Sequence, residues 1–92
     1  MMELTLTRIN KFGQTYILSE VFGPTYMTEV STNGKSMMMP HHIQLFNQGW
    51  YQWMNGEVIQ RAFPFLTSGE REFLLTGLTP TEWDEMMKEE ED

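Results

Sequence analysis

The hydrophobic period of this chain changes near its midpoint. Up to residue 45, apolar and polar positions alternate. Met2, Leu4 and Leu6 interleave with Glu3, Thr5 and Thr7, the period of a half-buried strand. Residues 10–14 contain Gly13 and read as a turn. Thr15–Val21 is rich in β-branched and aromatic residues, so a second strand is expected there. Gly23-Pro24 breaks the chain, and residues 25–31 and 35–39 then flank Asn33-Gly34. Asn-Gly signals a two-residue hairpin, because both central positions of a type I′ turn need positive φ. That loop pairs Val30 with Met37 and Thr28 with Met39. Tyr26, Val30, Met37 and Met39 then share one face; Glu29, Ser36, Met27 and Met38 share the other.

Past residue 45 the spacing becomes helical. Asn47 is expected to cap a short helix carrying Trp50, Trp53 and Met54, stopped by Asn55-Gly56. Residues 58–63 read as one turn of helix ended by Pro64. Thr67-Ser68-Gly69-Glu70 has capping-box spacing, with Gly77 as the stop of the helix it opens. Thr79-Pro80-Thr81-Glu82 repeats the box with proline at the first helical position. Leu78 and Trp83 are placed to form a hydrophobic staple across that cap. The last helix is expected to fray through residues 89–92, where acids oppose the helix dipole. The expectation is an α+β fold: an N-terminal antiparallel β-meander of three or four strands packed by three or four short C-terminal helices. Residues 1–92 form a single domain, with a β-rich half over 1–45 and an acidic helical half over 46–92.

Composition narrows the function classes. Forty per cent apolar and 13% aromatic residues suffice for a small core in a chain of 92. There is no cysteine, which removes disulfides and thiolate metal sites. No apolar run has the ~20 residues of a membrane helix, and no signal peptide is visible, so a cytoplasmic protein is expected. The net charge of −7 is one-sided. Residues 1–45 hold three basic and three acidic residues, whereas 46–92 hold three basic and ten acidic. Direct binding to nucleic acid is therefore disfavoured, since no basic patch displaces counterions. A protein partner with a basic surface is favoured, a host nucleic-acid-binding protein included.

Several residues admit a bland and a sharp reading. Trp53 and Trp83 are expected in the core, while Trp50 stays open between core and hot spot. Glu70-Arg71-Glu72 reads as a recognition patch or as a solvated first turn, with Arg71 pairing another acid. His41-His42 are adjacent; on a strand they point to opposite faces and do not share a metal ion. Of Met37-Met38-Met39, the outer two fill the core and Met38 faces outward as an adaptable contact. No nucleophile elbow, glycine-rich phosphate loop or zinc-protease motif occurs, so no enzyme, metal or cofactor is expected.

The spacing Trp53-x-x-Gly56-x-x-Ile59-Gln60-x-Ala62-x-Pro64-x-Leu66, then Glu70-Arg71-Glu72-x-Leu74-x-x-Gly77-x-x-Pro80-x-x-Trp83, resembles a family of small accessory proteins. These are encoded by bacteriophages and related mobile elements. The resemblance covers about a third of the chain, residues 53–83. It implies an accessory protein made in a bacterial cytoplasm during infection and carries over no activity. From the register, the aromatic spacing and the charge, Met27, Met38, Trp50, Glu70, Glu72, Glu85, Glu89 and Glu90 are the partner-binding candidates. Trp53, Gly56, Pro64, Thr67, Gly77, Leu78, Thr79, Pro80 and Trp83 are the structural ones. The expected function is a non-catalytic protein–protein interaction module, a phage-encoded inhibitor or modulator of a host protein that acts through an acidic face. The alternative is a virion or assembly component that self-associates as a homo-oligomer.

Overall fold

Four strands and then four helices follow one another along the chain. The computed structural model describes residues 4–23 and 25–90, the last four as backbone only. Strands β1 (Thr5–Ile9), β2 (Thr15–Val21), β3 (Met27–Thr32) and β4 (Lys35–Met39) form one antiparallel meander in the order β1-β2-β3-β4. Of the first expected strand, Met2 and Glu3 lie outside the described residues.

Local chemistry sets the turns. Asn10 is buried and its Oδ1 accepts the N–H groups of Phe12 and Gln14, both at 2.9 Å, closing the β1–β2 loop. Asn33 at φ 51° and Gly34 at φ 77° make the predicted I′-type loop. The register follows: Val30 opposes Met37 and Thr28 opposes Met39. Val30 and Met39 are fully buried and Tyr26 and Met37 pack against the core, while Met38 is exposed. The face assignment therefore holds.

Helix α1 runs Ile43–Met54 and starts earlier than Asn47. The Nδ1 of His42 accepts the Gln44 N–H at 3.2 Å, and the Tyr26 hydroxyl accepts the Ile43 N–H at 3.3 Å. Those two bonds satisfy donors that a helix start leaves orphaned. Asn47 is an exposed residue of the second turn, and its Oδ1 accepts from Arg8 Nη2 at 2.6 Å. Asn55 and Gly56 end the helix as expected. Helix α2 (Ile59–Ala62) is a single turn closed at Phe63, before Pro64. Helix α3 (Ser68–Thr76) carries both bonds of the Thr67–Glu70 capping box and ends on Gly77 at φ 78°. Helix α4 (Pro80–Glu90) opens on the second box: Glu82 N–H donates to Thr79 Oγ1 at 3.3 Å, and Thr79 N–H to Glu82 Oε1 at 3.0 Å.

The core lies between the inner sheet face and α1–α3. Tyr16, Leu18, Val30 and Met39 from the sheet meet Ile43, Phe46, Trp50 and Trp53 of α1 and Phe73 and Leu74 of α3. Full burial of each such side chain contributes about 1.5–3 kcal/mol. Gly49 lets α1 close on the segment after α2: a Cβ there would stand 2.5 Å from the Phe63 ring and 2.7 Å from the Ala62 carbonyl oxygen. Trp83 is half-buried and lies outside the core cluster, contrary to expectation. The reason is that α4 packs mainly against α3. Leu78, its expected staple partner, is likewise half-buried and outside the cluster.

Candidate interaction surfaces

Three surfaces stand apart in chemistry. The first is the outer sheet face. Register places Thr7, Ile17, Ser31 and Ser36 across it in one row, and Thr5, Ser19, Glu29 and Met38 in the next. Ile9, Ile17 and Met38 are exposed there and Met27 partly so. Glu29 is its one charged side chain among the strand residues, in a chain of net charge −7. No described element covers this face.

The second surface is acidic. Glu72 is half-buried on α3, and Asp84 and Glu85 are exposed on α4. The side chains of Glu89 and Glu90 lie outside the described residues. Glu82 pairs with Lys35 Nζ at 2.7 Å, tying α4 to the β3–β4 hairpin. The hydrogen bond from Lys35, with the Thr79 N–H after it, holds the Glu82 carboxyl below its ordinary value.

Two expected contact residues are buried, with their polar groups engaged inside the fold. Trp50 is 2% exposed, and its Nε1 donates to the Ile9 carbonyl at 2.9 Å. It sits edge-on to Trp53 and Phe63, and is core. Glu70 is 6% exposed. Its Oε1 accepts the Thr67 N–H at 2.9 Å and lies 3.4 Å from His41 Nε2. The carboxylate completes a cap and has little left to offer a partner. Arg71 pairs with no acid among the described residues; its Nη1 donates to the Leu66 carbonyl at 2.8 Å. His41 and His42 stand in the connection to α1 rather than on a strand. His41 packs edge-on to Phe65 and His42 stacks on Tyr26 at 4.5 Å.

The third surface, the outer face of α1, is absent from the sequence-based expectations. Helix α1 has no charged residue in 12 positions. Gln44, Leu45, Gln48, Tyr51, Gln52 and Met54 are exposed along it, Tyr51 by 73%. A groove lined by Arg8, Asn47, Trp50, Tyr51 and Met54 runs along one flank, and a groove that includes Gln48, Gly49, Arg61 and Pro64 along the other. The signal was available: Ile43, Phe46, Trp50 and Trp53 recur at 3, 4 and 3 residues, which fixes the buried side and thereby the exposed one.

Other polar groups are structural. Tyr16 donates to the Phe73 carbonyl at 2.7 Å, and burial pushes its hydroxyl up to about 12. Tyr26 donates to Glu20 Oε2 at 2.6 Å, and that bond is the main cause lowering the Glu20 carboxyl from its ordinary value. Among the described residues, no three histidine or carboxylate side chains converge as a metal site requires. Among the same residues, no helix is long and apolar enough to cross a membrane. Comparison with protein-family models, with curated proteins and with solved structures finds no match to this chain.

Proposed function

We propose that this chain is a non-catalytic protein-interaction module that engages a basic surface on a partner through the carboxylates of α3 and α4. Its charge distribution carries this reading. Residues 70–92 contain nine acids against Arg71 and Lys88, so the whole excess of −7 belongs to the segment that begins in the first turn of α3. No described side chain of α4 belongs to the core, so its exposed positions are free to be selected for recognition rather than packing. Asp84 and Glu85 are exposed, and charge in solvent steers a basic partner and speeds encounter. The family resemblance over residues 53–83 adds context: a phage-encoded modulator in the bacterial cytoplasm, acting on a host protein. A host protein that binds nucleic acid has the basic groove this charge fits, and occupying that groove amounts to nucleic-acid mimicry.

The test is capture from bacterial lysate by the tagged chain at low and high salt, beside the Asp84→Lys/Glu85→Lys variant. The expected result is a partner held by the parent chain at low salt, released by high salt and not held by the variant. Capture that ignores both salt and charge reversal overturns the acidic-face reading. A shift of duplex DNA by the isolated chain at physiological salt also overturns it.

The uncovered outer sheet face favours a second reading, a self-associating assembly component. Ile9, Ile17, Met27 and Met38 on an almost uncharged face suit an apolar contact. Such an oligomer persists at high salt, which separates it from the first reading.

A further inference from the structure

We propose that the outer face of α1 docks helix α4 of a second copy of this chain. Helix α1 carries no acid along its 12 residues. Leu45, Tyr51 and Met54 offer exposed apolar and aromatic area between amide side chains, so little charge is desolvated when it is covered. Each flanking groove holds one guanidinium, Arg8 on the β1 side and Arg61 on the α2 side. Neither is ion-paired among the described residues. Glu57, beyond the C-terminal end of the helix, is the nearest acid along the chain.

Helix α4 has the complementary face. Thr81, Asp84 and Glu85 recur at helical spacing and are exposed. Carboxylates at 84 and 85 suit the two guanidiniums. Within one molecule α4 packs mainly on α3, so the matching surface must come from another copy. A two-fold dimer makes the contact twice; an open arrangement makes a chain. One helix face per contact is a small interface, so association is weak and concentration-dependent. The inference stands apart from the host-partner reading. A basic partner that occupies α4 competes with the second copy, and failure of self-association leaves host capture untouched.

Sedimentation of the full chain tests it. The average mass should rise with concentration for the parent chain. Arg61→Glu and Glu85→Lys should each weaken association at least tenfold, because each sets like charges against each other in a homotypic contact. An equimolar mixture of the two variants should recover a mixed complex. One of its two contacts sets the new carboxylate of the first variant against the new ammonium of the second, and the other restores the parental pair. Both positions are exposed and their side chains make no hydrogen bond within the described residues, and circular dichroism confirms folding. Tyr51→Ser should also weaken association. A parent chain that stays monomeric up to about 1 mM overturns the proposal. So does self-association of both variants at parental strength, or a mixture that forms no complex.

Discussion

Helices α3 and α4 begin with the same device and end in different roles. Each opens on a Thr-x-x-Glu box with both reciprocal bonds formed. Helix α3 then buries Phe73 and Leu74, and residues of the first hairpin bind carbonyls of its last turn. Helix α4 places none of its described side chains in the core, and Trp83 buries its indole Nε1 without a partner among the described residues. A cap therefore fixes where a helix starts and not how firmly it is held. Burial of the following turns decides that, and with it which helix is scaffold and which is free for recognition.

The comparison breaks first at the aromatic residues. Phe73→Ala should cost about 3–5 kcal/mol, because the side chain is fully buried. Trp83→Ala should cost about 1–2 kcal/mol, since the ring is half-buried and removing it also removes a buried N–H that lacks a partner. Urea unfolding of both variants measures the difference, and equal midpoints would give the two helices equal weight.

The caps come next. Thr67→Ala should lower global stability by about 1 kcal/mol. Thr79→Ala should cost less globally and act instead on amide exchange, with protection lost in α4 and retained in α3. Uniform loss across both helices would make α4 part of the same cooperative unit. Gly69→Ala sharpens the boundary between them. Alanine is the better helix former by about 1 kcal/mol, but its Cβ would stand 3.1 Å from the Pro80 ring. The expected outcome is unchanged or raised global stability with a shifted Trp83 emission, because α4 yields and α3 does not.

The smallest effect concerns acid. Glu82 is held below its ordinary carboxyl value by Lys35 and then by Thr79. A carboxyl lowered in the folded state contributes stability above its unfolded value, and that contribution fades as pH falls through the folded one. The gap in midpoint between the parent chain and Glu82→Gln should be small near neutral pH and close on acidification, since the pair is largely solvent-screened. A gap independent of pH would assign the effect to the cap rather than to the charge.

What the sequence disclosed divides along the same line. The Asn33-Gly34 loop, both capping boxes and the stops at Gly56 and Gly77 are set by residues close to one another in the chain. Their chemistry is complete in the local string, and so is the register that turns Met38 outward. The start of α1 was not legible in this way. Its donors are satisfied by His42 and by a hydroxyl from Tyr26, 17 residues upstream, whereas Asn47 looked like the better cap. The burial of Trp50 was hidden for a similar reason: it depends on the Ile9 carbonyl that the fold brings to its indole N–H. The cap that occupies Glu70 was legible in the Thr67–Glu70 spacing, whereas its neighbour His41 was not. Gly49 gave no sign of the Phe63 ring that excludes any side chain there.

The contacts of Asn10 and Tyr16 bear on the order of events in folding. Asn10 Nδ2 donates to the Leu74 carbonyl at 3.0 Å across 64 residues, and Tyr16 reaches the Phe73 carbonyl across 57. During synthesis the first hairpin emerges long before the helix that satisfies these groups. Its turn can close early on its own backbone, but its buried polar atoms wait until α3 has left the ribosome. Loop closure over that distance precedes any reward from the contact, so these two bonds form only once α3 is in place. The first hairpin is thus made before α3 and completed only with it.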